Sequence, residues 1–108
     1  MMDLSLLKSL MSGDEKLVAH FVSIFKIQVP SQVKALPGLC ANEDWEELSI
    51  TFHSLKSQFS YVGINDLAEQ LREMEERVDN GETGSIAFLI SDFTVSFHQF
   101  WQMQFPDN

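Results

Sequence analysis

The stretch Leu48–Val62, with the sequence LSITFHSLKSQFSYV, has the hydrophobic spacing of an amphipathic helix. Its apolar residues recur at steps of four, three, four and three, the period of one helix face: Leu48, Phe52, Leu55, Phe59 and Val62. The opposite side carries small or polar residues at similar spacing: Ser49, His53, Lys56, Ser57 and Ser60. The pattern therefore predicts that His53 lies exposed among small side chains, with one cation, Lys56, a single turn away.

The chain before this stretch is predicted to form a short helix and then a long one. The short amphipathic helix covers residues 3–11, and a turn at residues 12–14 ends it and caps the next helix. The long helix presents one stripe toward the core: Leu17, Phe21, Ile24, Phe25 and Gln28. Pro30 and Pro37 are expected to kink or interrupt it, because proline lacks a backbone donor, and its end is predicted within residues 36–41.

The rest of the chain predicts two more helices after the central one. Asp44 and Glu47 have capping-box spacing at the start of the central helix, and Gly63 is expected to end it. A fourth helix from about residue 65 and a fifth from about residues 83–85 carry one apolar stripe each. Short connections between long helices imply antiparallel neighbours. We therefore expect an all-α fold, an antiparallel up-down four-helix bundle with a short N-terminal helix, as a single domain over residues 1–108.

The charge balance, the apolar run near the C-terminus and the cysteine content limit the classes of function that are compatible with the chain. The chain has 7 Lys+Arg against 16 Asp+Glu, a net charge of -9, which argues against binding nucleic acid or anionic membrane surfaces. The apolar run at residues 86–105 is interrupted by polar residues, so a buried helix is favoured over a membrane span. The single cysteine, Cys40, excludes an internal disulfide, and no cysteine spacing suggests a metal site. These features favour a reducing, cytoplasmic location.

A motif centred on His53 resembles a known family, the histidine-containing phosphotransfer (HPt) domain of multistep two-component phosphorelays. The residues that carry the resemblance are His53, Leu55, Lys56, Ser60, Gly63, Leu67, Leu71 and Glu75. The family pattern is histidine, any residue, leucine, lysine, glycine, with another glycine ten residues after the histidine. This chain departs from it at Ser57, where the family usually has glycine, and at Gln58, where a small residue is common.

The resemblance implies a phosphorelay intermediate. In this interpretation His53 accepts a phosphoryl group from a receiver-domain aspartate and passes it to another, without kinase or phosphatase activity of its own. The implied partners are response-regulator receiver domains and a hybrid histidine kinase, the magnesium ion belongs to the receiver, and the protein is a monomer that needs no cofactor. Receivers are expected to dock over a face that includes five residues: Ser49, Ser57, Ser60, Leu6 and Leu10.

Two residues are candidates to assist His53. Attack through Nε2 requires the proton on Nδ1, where an acceptor can hold it. Gln28, on the core-facing stripe, is one candidate acceptor; alternatively it caps a backbone carbonyl freed near Pro30. Lys56 is a candidate to stabilise the charge on the phosphoryl oxygens, the alternative being a solvated surface lysine.

Two other functional interpretations stay open. The first is a non-phosphorylated four-helix adaptor that binds receiver domains or another helical partner, for which the departure at Ser57 leaves room. Such an adaptor would bind equally well after His53→Ala. The second is a bundle in which the motif is coincidental, because amphipathic four-helix bundles are common and a fold alone does not establish a function.

Overall fold

A computed structural model of the protein describes residues 1–107 and shows only helices in this range. The elements are α1 (Ser5–Leu10), α2 (Glu15–Ala41), α3 (Trp45–Tyr61), α4 (Asn65–Asp79) and α5 (Ile86–Gln104). Helix α2 packs on α3, α3 on α4, α4 on α5 and α5 back on α2, while α1 packs on α2. The predicted all-α bundle with a short N-terminal helix is confirmed.

The core is rich in phenylalanine. Phe25, Phe52, Phe59 and Phe93 are almost completely buried, and burying each side chain contributes roughly 2–3 kcal/mol relative to leaving it exposed. The Phe59 ring meets four others edge-on, with centroid separations of 5.6–6.4 Å: Phe25, Phe93, Phe97 and Phe100. Because Phe59 lies on α3, this cluster fixes the rotation of α3 about its axis and keeps the opposite face of that helix toward solvent.

Helix α2 differs from its prediction in two respects. It continues through Pro30 and Pro37 without interruption and ends at Ala41, inside the predicted range. Its buried face consists of Val18, Phe25, Val29, Val33 and Leu36. Leu17 and Ile24, predicted to face the core, are 49% and 38% exposed. The predicted stripe is therefore confirmed for Phe25 and for Phe21, which packs against the core, and wrong for Leu17 and Ile24. Helix α2 carries apolar residues on more than one face, and packing against its neighbours decides which face is buried.

Capping interactions place the ends of the helices. The Asp14 carboxylate accepts hydrogen bonds from the backbone N–H groups of Lys16 and Leu17 at the start of α2. The Asp44 carboxylate accepts one from the N–H of Glu47 at the start of α3. Both caps agree with the sequence prediction.

The N-terminal segment crosses the end of α3. The backbone N–H of Asp3 donates to the carbonyl oxygen of Val62 at 2.8 Å. The next residue, Gly63, has φ +75°, and a Cβ built there would lie 2.9 Å from Cβ of Asp3 and 3.0 Å from its carbonyl oxygen. Glycine is thus required at this position both for the left-handed backbone and for the close approach of the N-terminal segment.

The described helices include none that is both long and apolar enough to cross a membrane.

Candidate functional site

The short connection between α3 and α4 sets which residues face each other across these helices. The Ser49 hydroxyl donates to Oδ1 of Asp79 at 2.6 Å. One turn later on α3, Nδ1 of His53 lies 3.0 Å from Oε2 of Glu75, which is one turn earlier on α4. The two helices therefore run antiparallel in a register that places Glu75 beside His53.

The His53 imidazole is exposed and held from one side. Its side chain is 63% exposed, while that of Glu75 is only 15% exposed. A carboxylate accepts hydrogen bonds and has none to donate, so the 3.0 Å contact assigns the proton to Nδ1. In the neutral ring the lone pair is then on Nε2, for which residues 1–107 supply no hydrogen-bond partner.

Lys56 shares the same carboxylate. Its ammonium donates to Oε1 of Glu75 at 2.7 Å, so the two carboxylate oxygens hold one group each. Charge-assisted hydrogen bonds of this kind are among the stronger ones in proteins. Glu75 thus fixes the positions of both the imidazole and the ammonium group, which lie three residues apart on α3.

Four of the five predicted docking residues fall into two groups, and the fifth, Ser49, donates to Asp79 as described above. Ser57 and Ser60 are half-buried on the His53 side of α3, where their small side chains leave space around the ring. Leu6 and Leu10 are 50% and 60% exposed on α1, at the end of the bundle where Asp3 meets the end of α3. That end lies about 14 Å along the helix axis from His53.

Exposed apolar side chains nearer to His53 were missed by the sequence analysis. Ile50 lies one turn before His53 and is 56% exposed, and Tyr61 lies two turns after it and is 40% exposed. Helical spacing places them about 60° and 80° around α3 from His53, outside the buried stripe, and this is the signal that could have identified them.

The other flank of His53 carries a cluster of uncharged polar side chains, here named the amide cluster: Gln32, Ser54 and Gln58. The Gln32 amide donates to the Ser54 hydroxyl at 3.1 Å, and the Gln58 amide donates to Oε1 of Gln32 at 2.7 Å. The same Gln58 nitrogen lies 3.2 Å from both oxygens of Ser54. The amide cluster joins α2 to α3 beside the histidine.

The predicted position of Gln28 is wrong. It is exposed on α2 rather than directed into the bundle, because the buried face of α2 is centred on Val29 and Leu36 instead. Glu75 occupies the place beside Nδ1 that was assigned to Gln28. Glu75 is one of the residues that carry the family resemblance, but its contact with His53 follows only from the register of α3 and α4.

Among residues 1–107, no group of three or more His, Cys, Asp or Glu side chains is arranged to hold a metal ion.

A comparison with known protein families identifies a family whose matched range contains the site. The family model described as Hpt domain matches residues 20–90, a range that covers well over half of the chain and includes His53 and Glu75. The chain belongs to the Hpt domain family. Searches of curated proteins and of solved structures returned no match. Membership supports a role related to phosphotransfer in two-component signalling. Domains of this family are in general phosphocarriers rather than kinases, and they interact with receiver and kinase components of phosphorelays.

Proposed function

We propose that the protein is a phosphorelay intermediate that carries phosphate on Nε2 of His53. The phosphoryl group comes from the phosphoaspartate of one receiver domain and goes to the aspartate of another. The observation that supports this best is the exposed imidazole of His53. Its Nδ1 contacts the largely buried carboxylate of Glu75, while its Nε2 has no hydrogen-bond partner among residues 1–107.

The transfer step balances without an external base. The Nε2 lone pair of the neutral ring attacks the phosphorus atom, the N–P bond forms, and the P–O bond to the aspartate breaks, returning a free carboxylate. The proton stays on Nδ1, so the ring becomes positively charged. The Glu75 carboxylate, 3.0 Å from Nδ1, stabilises that charge electrostatically. Transfer to the second receiver is the reverse sequence of bond changes.

Lys56 is proposed to stabilise the phosphoryl oxygens. Charge in a loose phosphoryl-transfer transition state is spread over the three equatorial oxygens, which an ammonium group nearby can bind. In the unphosphorylated protein the Lys56 ammonium donates to Oε1 of Glu75, and Lys56 is one turn from His53. It can turn part of its hydrogen-bonding capacity to the phosphoryl group, since an ammonium has three donors.

The receiver is proposed to dock over the His53 side of α3. Ser57 and Ser60 keep the approach open, and the exposed side chains of Ile50 and Tyr61 supply apolar contact next to it. Ser49, one turn before His53, and Leu6 and Leu10, at the end of the bundle near the N-terminal segment, remain candidate contacts. The magnesium ion that activates the aspartyl phosphate is assigned to the receiver, as its own active-site metal.

The test is chemical labelling of His53. The protein is incubated with phosphoramidate, or with a phosphorylated receiver domain, and analysed by mass spectrometry at mildly alkaline pH. We expect one acid-labile phosphate on His53 that is lost in His53→Gln. The variants His20→Gln and His98→Gln are matched controls, because both residues are exposed histidines on other helices, and both should be labelled like the parent.

The adaptor alternative gives the opposite outcome. A folded protein that takes no phosphate from any donor, and that binds receivers equally well after His53→Ala, would be an adaptor. Labelling that persists in His53→Gln would also overturn the assignment of the phosphorylated residue.

A further inference from the structure

The amide cluster has hydrogen-bonding groups that the fold does not use. Within residues 1–107, no hydrogen bond ends on Oε1 of Gln58, and the Gln32 amide makes one donor bond although it has two N–H groups. No buried side-chain nitrogen or oxygen in this part of the chain lacks a partner. The unused Gln58 oxygen is therefore in contact with solvent, although the residue itself is half-buried.

The amide cluster lies where a receiver that reaches His53 would cover it. Ser54 is the residue after His53, and Gln58 lies about 7.5 Å farther along the axis of α3 and about 140° around it, on the side where α3 packs against α2. A standard protein interface buries about 800 Å² per partner, which is a patch of about 16 Å radius. A patch of this size that is centred on His53 and extends over the groove between α2 and α3 includes the amide cluster, and it removes water from the unused groups there.

Losing that water is unfavourable unless the partner replaces its hydrogen bonds. One unused acceptor, on Gln58, and one unused donor, on Gln32, lie on two amides that are already in contact at 2.7 Å. A peptide group offers the complementary pair, one N–H and one C=O. The charged flank of His53 differs, because Glu75 already binds both His53 and Lys56 there.

We propose that the amide cluster binds a main-chain segment of the receiver domain, with Gln58 accepting from a backbone N–H and Gln32 donating to a backbone carbonyl. This inference rests on the proposed function, since it assumes that a receiver docks on the His53 face. It assigns a docking role to Gln58, the residue at which the chain departs from the small side chain common in the family.

The test separates docking from chemistry. Gln58→Met and Gln32→Met keep the size of the side chain and remove its polar atoms, and Gln102→Met on α5, an exposed glutamine, is the matched control. Each variant is labelled with phosphoramidate, which needs no docking surface, and then with several phosphorylated receivers. We expect both cluster variants to be labelled by phosphoramidate at the parental rate. Transfer from every receiver should fall about tenfold, with a matching loss of affinity.

Each result has a distinct meaning. Unchanged transfer from all receivers in variants that still label with phosphoramidate would overturn the docking role of the amide cluster. A loss limited to some receivers would overturn the main-chain assignment, because every receiver has peptide groups, and would indicate a side-chain contact. Failure of the parent protein to be labelled by any donor would instead count against the proposed function. If Gln58→Met lowers the melting temperature, Gln58→Asn, which keeps the amide but shortens its reach, must show the same loss of transfer.

Discussion

His53 and Glu75 lie 22 residues apart in the chain, yet Nδ1 of the imidazole is 3.0 Å from Oε2 of the carboxylate. The carboxylate also holds the Lys56 ammonium at 2.7 Å. One acidic side chain on α4 therefore orients the two basic groups of α3 that the proposed chemistry uses. This arrangement makes Glu75, rather than a residue of α2, the positioning residue of the site.

Replacing Glu75 separates its charge from its hydrogen bond. Glu75→Gln keeps an oxygen acceptor for Nδ1 but no negative charge, whereas Glu75→Leu removes both. We expect the rate of His53 labelling to fall about tenfold in Glu75→Gln and further in Glu75→Leu, because hydrogen bonds to charged groups contribute about 1.5–3 kcal/mol. Nitrogen-15 NMR of the imidazole gives a readout that a purely structural role would not move. The proton should stay on Nδ1 in Glu75→Gln and be shared between the two ring nitrogens in Glu75→Leu.

A result that would contradict this role is an unchanged Nδ1 tautomer in Glu75→Leu. Glu73→Gln is the matched control, since Glu73 is an exposed residue of α4 that pairs with Arg77 instead. It should change neither the tautomer nor the labelling rate.

Lys56→Met is expected to slow phosphotransfer about tenfold and to leave the helical content unchanged. The lysine is one turn from His53 and only 27% exposed, so its charge is partly shielded from water. In the proposed transfer this charge stabilises the phosphoryl oxygens at short range. Stopped-flow transfer from a phosphorylated receiver measures the effect. Lys56→Arg should recover part of the rate because it keeps the charge, and Lys34→Met, on the exposed side of α2, should match the parent.

The position of His53 was predictable because α3 has a single apolar stripe. Leu48, Phe52 and Phe59 are all buried as predicted, which leaves only one orientation for the histidine. The capping residue Asp44 and the glycine Gly63 also fixed the ends of this helix correctly.

The rotation of α2 was not predictable from periodicity. Leu17, Ile24 and Ile27 form apolar positions as regular as those that are buried, yet Ile27 is 75% exposed. Packing of α2 against three other helices decides which of its apolar faces is buried. The residue pattern of α2 alone contains no information about that packing. The error in the position of Gln28 follows directly from this ambiguity.

The role of Glu75 depends on a register between two helices rather than on a local pattern. Once the connection at residues 62–64 is known to be short, antiparallel packing pairs residue 53 with residue 75 and residue 49 with residue 79. The amide cluster requires the rotation of α2 as well, so it was beyond prediction from the sequence.

Cys40 is expected to react slowly with alkylating reagents. Burial, together with the nearby Glu43 carboxylate, raises the pKa of the Cys40 thiol. A raised pKa lowers the fraction of thiolate at a given pH, and the thiolate is the nucleophile. Iodoacetamide at about pH 8, near the usual thiol pKa of about 8.5, should therefore modify the folded protein several times more slowly than the urea-unfolded chain. Equal rates in the two states would show that the thiol is not shielded, and Cys40→Ser gives the background.

Gly63→Ala tests the contact between the N-terminal segment and the end of α3. Alanine at φ +75° is strained by about 1–2 kcal/mol, and its Cβ would approach Asp3 to 2.9 Å, which adds a steric cost of about 1–3 kcal/mol. We expect the free energy of unfolding in urea to fall by about 2–5 kcal/mol. Gly81→Ala is the matched control, because Gly81 has φ +76° but nothing within 4 Å of a Cβ there, so only the backbone strain applies. Equal losses in the two variants would mean that the N-terminal segment moves aside at no cost. A larger loss in Gly63→Ala, with His53 labelling retained in the folded fraction, would show that the segment stabilises the bundle without taking part in the chemistry.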